Sequence, residues 1–127
     1  MRHVGKPSAC TIDLVNGERP DTTRTVTLST GRDGLVSSGW CVDAAARTRA
    51  GGVYFVLDGR AQPAFIGWRR DDVAAHFHEP GYAYSGYQGG VRTVRLAPGS
   101  HTFAVIALSR DRRRVFAPTA PVRVLIR

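Results

Sequence analysis

Hydrophobic and polar positions alternate with a period of two along most of this 127-residue chain. The alternating runs are short and end at turn-forming residues, as β-strands do when one face is buried and the other is wet. Cys10 to Val15 (CTIDLV) alternates and stops at Asn16-Gly17, and Thr23 to Ser29 (TRTVTLS) alternates again and stops at Thr30-Gly31. Leu35 to Asp43 (LVSSGWCVD) is a third strand. Val53 to Leu57 (VYFVL), a solid apolar run stopped by Asp58-Gly59, reads as a central strand. Ala61 to Gly67 follows that turn, and its interior Pro63 suits an edge strand or a bulge, because proline donates no ladder hydrogen bond.

Only one helix is predicted, a short one over Val73 to Phe77 capped by Asp71 and Asp72 and closed off by Pro80-Gly81. Tyr82 to Gly90 is glycine-rich and aromatic and reads as a loop or irregular strand. Strands return at Arg92 to Leu96 and His101 to Leu108, joined as a hairpin through Pro98-Gly99, and Val122 to Ile126 closes the chain. The sum is an all-β domain, an antiparallel two-sheet sandwich of Ig-like or jelly-roll type with seven to eight strands. Residues 1–9 read as a disordered arm and 10–127 as the single domain.

Composition agrees with a folded domain: 43% hydrophobic and 22% charged residues lie near globular averages. No run is long enough to span a membrane as a helix. The formal charge is +8, and Lys6 is the one lysine among eighteen basic residues. An arginine excess either attracts polyanions or lies scattered over solvated faces. The second reading is the simpler, because the one dense run, Arg110, Arg112, Arg113 and Arg114, falls at a turn. Nucleic acid as a specific partner would require arginines gathered on one face among aromatics. Cys10 and Cys41 are too few for a disulfide scaffold or a four-cysteine zinc site, and they either form one bridge or remain two buried thiols.

Five motifs fall in a recognisable order: Gly39-Trp40-Cys41-Val42-Asp43, Gly52-Val53-Tyr54 to Asp58-Gly59, Arg70-Asp71-Asp72-Val73-Ala74, Ser85-Gly86-Tyr87, and Pro98-Gly99-Ser100-His101-Thr102. Over Thr25 to Val124 the chain resembles a bacterial Ig-like β-sandwich module found on extracytoplasmic parts of envelope proteins, often C-terminal to multi-spanning membrane proteins of glycosyltransferase type. The resemblance implies a periplasmic or cell-surface location and carbohydrate as the partner by context. Cys41 departs from the small residue usual in the GWAVD-like motif, which is compatible with pairing to Cys10.

No phosphate-cradling loop, GxSxG elbow or HExxH motif is present in the sequence. An enzyme would have to be built from Asp71, Asp72, His76, His78 and Glu79, and the two histidines diverge on a helix by about 200°. No catalytic role, metal or cofactor is expected. Trp40, on a strand beside Cys41, reads as a large core residue. Arg70, near Ser85 and Tyr87, either makes a structural salt bridge or holds a sugar with its planar fork of donors. The aromatic group around the glycine-rich segment, with Trp68, Tyr82, Tyr84 and Tyr87 foremost, either covers the mouth of the sandwich or forms a stacking platform. Two functions follow: an accessory module binding carbohydrate or envelope polymer through Trp68, Arg70, Tyr82, Tyr84 and Tyr87, or a structural spacer docking on a parent protein. Exposed rings favour the first and buried rings the second.

Overall fold

The computed structural model describes residues 9–28, 34–93 and 96–127. The expected N-terminal arm, apart from residue 9, and the turn at 30–31 lie outside the described residues. Nine strands occur among them: β1 (Cys10–Val15), β2 (Thr25–Leu28), β3 (Leu35–Asp43), β4 (Thr48–Arg49), β5 (Gly52–Leu57), β6 (Arg60–Trp68), β7 (Gly86–Val91), β8 (Gly99–Leu108) and β9 (Val122–Ile126). One helix, α1 (Asp71–His76), and a 3-10 turn (Pro80–Tyr82) connect β6 to β7. No helix among the described residues is long and apolar enough to cross a membrane.

The strands run in the order β1-β3-β7-β6-β5-β8-β9-β2. Two sheets share β6: its second half pairs with β7, and its first half pairs with β5. This partner switch answers the proline question. Pro63 pairs opposite Tyr54 on β5, while the β7 ladder begins only at Phe65, so no sheet hydrogen bond is missing on that side. β6 is thus a corner strand rather than an edge, and it turns the chain from one layer of the sandwich to the other. All neighbours are antiparallel except β2 and β9, which pair in parallel along Thr25–Leu28 and Arg123–Ile126.

Alternation in each strand sends one row of side chains between the layers. Val15, Leu35, Phe55, Tyr87, Phe103 and Val105 are almost wholly buried there. Phe55 of β5 is the hub: it meets Phe103 edge-on at 5.2 Å and Tyr87 of the opposite layer at 5.7 Å. Edge-to-face pairs of this kind add about 0.5–1.5 kcal/mol each beyond burial. Cys10 and Cys41 face each other across β1 and β3, with Cα atoms 4.1 Å apart, and are joined by a disulfide.

Several expectations need correction. Of the two readings of the glycine-rich segment, strand holds from residue 86 onward, where β7 is an interior strand between β3 and β6 rather than a loop. Gly86 and Gly89 are required by close approach, since a Cβ on Gly89 would meet Ala64 and Phe55 at about 3 Å and one on Gly86 would meet Trp68 at 2.8 Å. Arg92 and Thr93 form no strand, the middle of that expected strand lies outside the described residues, and β8 pairs instead with β5 and β9. The helix starts two residues early: Asp71 and Asp72 occupy its first turn, where negative charge suits the helix dipole, and Arg70 stands at the cap position without a capping side chain. Trp40 is not in the main core. It points to the outer face of β3, half-buried beneath α1, in a second cluster with Val42, Val73 and Tyr82.

Candidate functional site

The outer face of the β1-β3-β7-β6 layer carries the exposed aromatic side chains. A bulge in β6 breaks the register between Ile66 and Trp68. The extra residue, Gly67, sits at φ +133°, a conformation side chains rarely adopt. The bulge resets the alternation so that Phe65 and Trp68 emerge on the same face, 58% and 54% exposed, with their rings edge-to-face at 5.6 Å. Beside them Phe65 pairs with Gln88 and Trp68 with Gly86 across β7. A Cβ on Gly86 would strike Trp68 and Arg70, so the glycine makes room for the tryptophan's base. Val36, Phe65, Trp68, Gln88 and Gly89 together line a shallow, open depression.

The sequence-predicted residues divide in two. Trp68 is exposed on this face, and Tyr84 is 51% exposed on the adjoining turn, where the Arg69 guanidinium lies 5.7 Å from its ring centroid. Tyr82 and Tyr87 are buried, at 7% and 1% exposure, and cannot offer a ring face to a ligand. Tyr82 packs under α1 against Phe77. Tyr87 lies in the main core, and its hydroxyl donates to the Thr11 carbonyl at 3.1 Å. Burial pushes the Tyr87 pKa up, so it stays a neutral donor. Ser85 is buried as well and unavailable to a sugar.

Arg70 is engaged inside the protein. Its Nε and Nη2 donate to the two oxygens of Asp72 at 2.9 and 2.8 Å, and its Nη1 donates to Asp13 of β1 at 2.8 Å. The guanidinium beside Asp72 holds that carboxyl at about 2, and the two carboxylates raise the pKa of Arg70 further. This arginine therefore ties the start of α1 to the edge strand, the structural role weighed from sequence, with its charge compensated twice. Arg69, in contrast, forms an exposed pair with Asp71 and reaches toward Tyr84.

Phe65 is the residue that sequence reading missed. The signal was present, since Phe65 alternates with inward Ala64 and Ile66, but Pro63 turned attention to an edge strand. Among the described residues no group of three His, Cys, Asp or Glu side chains is gathered to hold a metal ion. His76 meets Phe77 edge-to-face, with ring centroids 4.7 Å apart.

The fold and this face define a β-sandwich module of mostly β structure with one short helix. No family model and no curated relative matches the chain. Among solved structures it is similar to the fibronectin(III)-like modules of Clostridium thermocellum CbhA, with 16% identity, 81% of this chain and 86% of that chain covered, and a TM-score of 0.46. It is also similar to AggA, the major subunit of aggregative adherence fimbriae type I from Escherichia coli, with 14% identity, both chains covered in full, and a TM-score of 0.37.

Proposed function

We propose that this domain is a non-catalytic extracytoplasmic recognition module that binds a glycan of the cell envelope on the outer face of β3, β7 and β6. The exposure of Phe65 and Trp68 carries the reading. Two large rings more than half exposed on a rigid sheet bury little area on folding, and contiguous apolar surface of this kind marks interaction sites. Their faces suit the C–H faces of sugar rings, while Gln88, paired beside Phe65, offers the directional donors and acceptor that hydroxyls need. The Cys10–Cys41 disulfide supports an oxidising compartment. The resemblance to envelope modules supports a glycan as the ligand class.

The second reading, a spacer docking on a parent protein, is favoured by Val36 and Leu14, apolar side chains exposed on the same layer. Binding of the purified domain to an array of bacterial envelope glycans tests both. Selective binding that is lost in Trp68→Ala and Phe65→Ala but kept in Leu14→Ser, which lies outside the depression, supports the glycan site. A folded wild-type domain that binds no sugar overturns it in favour of the spacer.

A further inference from the structure

At one end of the sandwich the chain builds a rigid turn from Ser109 to Arg114. The Ser109 amide donates to the Arg114 carbonyl at 2.9 Å, and the Arg114 amide donates to Ser109 Oγ at 3.0 Å. Asp111 accepts from Ser109 Oγ and from the Arg113 amide, and Asp43, buried at the end of β3, accepts from the amides of Arg110 and Ala46. Arg112 lies at φ 63° and reaches back to the Gly51 carbonyl, two residues beyond Arg49. The fold thus sets Arg112 of the turn against the segment that follows β4.

Arg49, Arg110, Arg112, Arg113 and Arg114 form no ion pair with a carboxylate among the described residues. The two acids within this end, Asp43 and Asp111, are committed to backbone amides. Five arginines less two aspartates leave a net charge of three on the positive side. Arg49 reaches the aromatic face: its Nη1 lies 3.9 Å from the point a Cβ on Gly67 would occupy, and the Phe65 ring lies 3.3 Å from the same point.

We infer that this arginine end is an anion-binding subsite, and that the glycan of the aromatic face is an acidic polysaccharide whose carboxylate or phosphate groups reach Arg49 and the 110–114 turn. Guanidinium forks match both anions in geometry and charge. The disulfide favours an envelope polymer over nucleic acid as the polyanion. This inference rests on the glycan reading above, and the two are separated by different variants.

Isothermal titration of the full chain with polygalacturonate and with phosphomannan tests it, with neutral dextran and duplex DNA as comparison probes. The triple variant Arg110→Gln, Arg113→Gln, Arg114→Gln leaves Arg112 on Gly51, and the matched variant Arg19→Gln, Arg60→Gln, Arg123→Gln removes the same charge from elsewhere. The turn variant is expected to weaken acidic-polymer binding by about tenfold at low salt, and the matched variant by less than about twofold. Both should melt close to wild type. Equal weakening by the two variants overturns the inference, since binding would then follow net charge alone. So does tighter binding to DNA than to either polysaccharide, or an absence of binding to both. If Trp68→Ala leaves polygalacturonate binding unchanged while the turn variant abolishes it, the arginine subsite stands and the aromatic platform fails.

Discussion

Among the described residues β1 is an edge strand with β3 as its one sheet neighbour, so the disulfide between Cys10 and Cys41 is expected to govern whether that edge stays docked. The bond closes a loop with a sequence separation of 31. The chain-entropy relation then gives about 12 cal/mol/K removed from the unfolded state, or about 3.7 kcal/mol at 25 °C. Unfolding entropy of about 2.1 cal/mol/K per residue gives about 0.27 kcal/mol/K for 127 residues. Their ratio predicts that Cys10→Ala, Cys41→Ala melts roughly 14 °C below wild type. Loss of the buried sulfurs adds a smaller packing penalty, as both side chains sit in the core. Scanning calorimetry of wild type, of wild type with a reductant, and of the double variant measures the shift. Amide hydrogen exchange locates it, with protection lost first along Cys10–Val15. A shift below about 5 °C, with β1 still protected, would refute the reasoning and show that the ladder to β3 suffices.

His101 holds a carboxylate and a carbonyl at once: its Nδ1 lies 2.6 Å from Asp58 Oδ2 and its Nε2 lies 2.7 Å from the Ala97 carbonyl. Both ring nitrogens must donate, which only the imidazolium does, and the bond to Asp58 followed by that to Ala97 raises its pKa. Its stabilisation is therefore complete below about pH 6.5 and fades as pH rises through the raised value. Asp58 adds the opposite limb. Burial pushes its pKa up, but His101 and the Thr102 amide outweigh that and lower it, so its contribution is lost only as acid protonates it. Urea unfolding across this range should show a plateau on the acidic side of neutrality, and His101→Gln should remove the loss above it. Tyr87→Phe leaves the Thr11 carbonyl without its donor and should cost about 1 kcal/mol in urea unfolding, with no change in fold by circular dichroism. Asp43→Ala strips the acceptor from two amides in adjacent loops and should cost about 2–4 kcal/mol, with raised hydrogen exchange at Ala46 and Arg110.

Strand boundaries were legible where side chains alternate. β1, β3 and β9 run over the residues that the pattern marked, because each position there is visibly apolar or polar. β7 was illegible because Gly86, Gly89 and Gly90 carry no side chain to show a face. The role of Gly86 and Gly89 is defined by what lies across from them, Trp68 and Arg70 over Gly86 and Ala64 with Phe55 over Gly89, and those contacts are not local in sequence. Pro63 misled for a related reason. A proline excludes a ladder bond on one side only, and a strand that changes partners midway leaves one side open at that point. The parallel pairing of β2 with β9 joins strands far apart in sequence, Thr25–Leu28 with Arg123–Ile126, which local turn signals do not encode.

The candidate site shows the same limit more sharply, because which tyrosine is core and which is surface depends on the face it takes rather than on its neighbours in sequence. Tyr82, Tyr84 and Tyr87 lie within six residues of one another, and only the middle one is exposed. Tyr87 alternates into the sandwich because β7 is a strand. Tyr82 ends a 3-10 turn packed under α1, and Tyr84 lies on the exposed turn between them. The bulge at Gly67 decides the other half of the face. Under strict alternation Phe65 and Trp68 lie on opposite sides of β6; the inserted residue brings them together. A glycine at φ +133° is what permits it, so Gly67→Ala is expected to strain the bulge and disturb the ring pair, while Gly59→Ala acts only on its own turn. Intrinsic tryptophan fluorescence together with glycan binding distinguishes the two. Loss of binding in Gly67→Ala, with the core intact by near-ultraviolet circular dichroism, places the site on the bulge; retained binding there would show that the Phe65–Trp68 pair is not the platform.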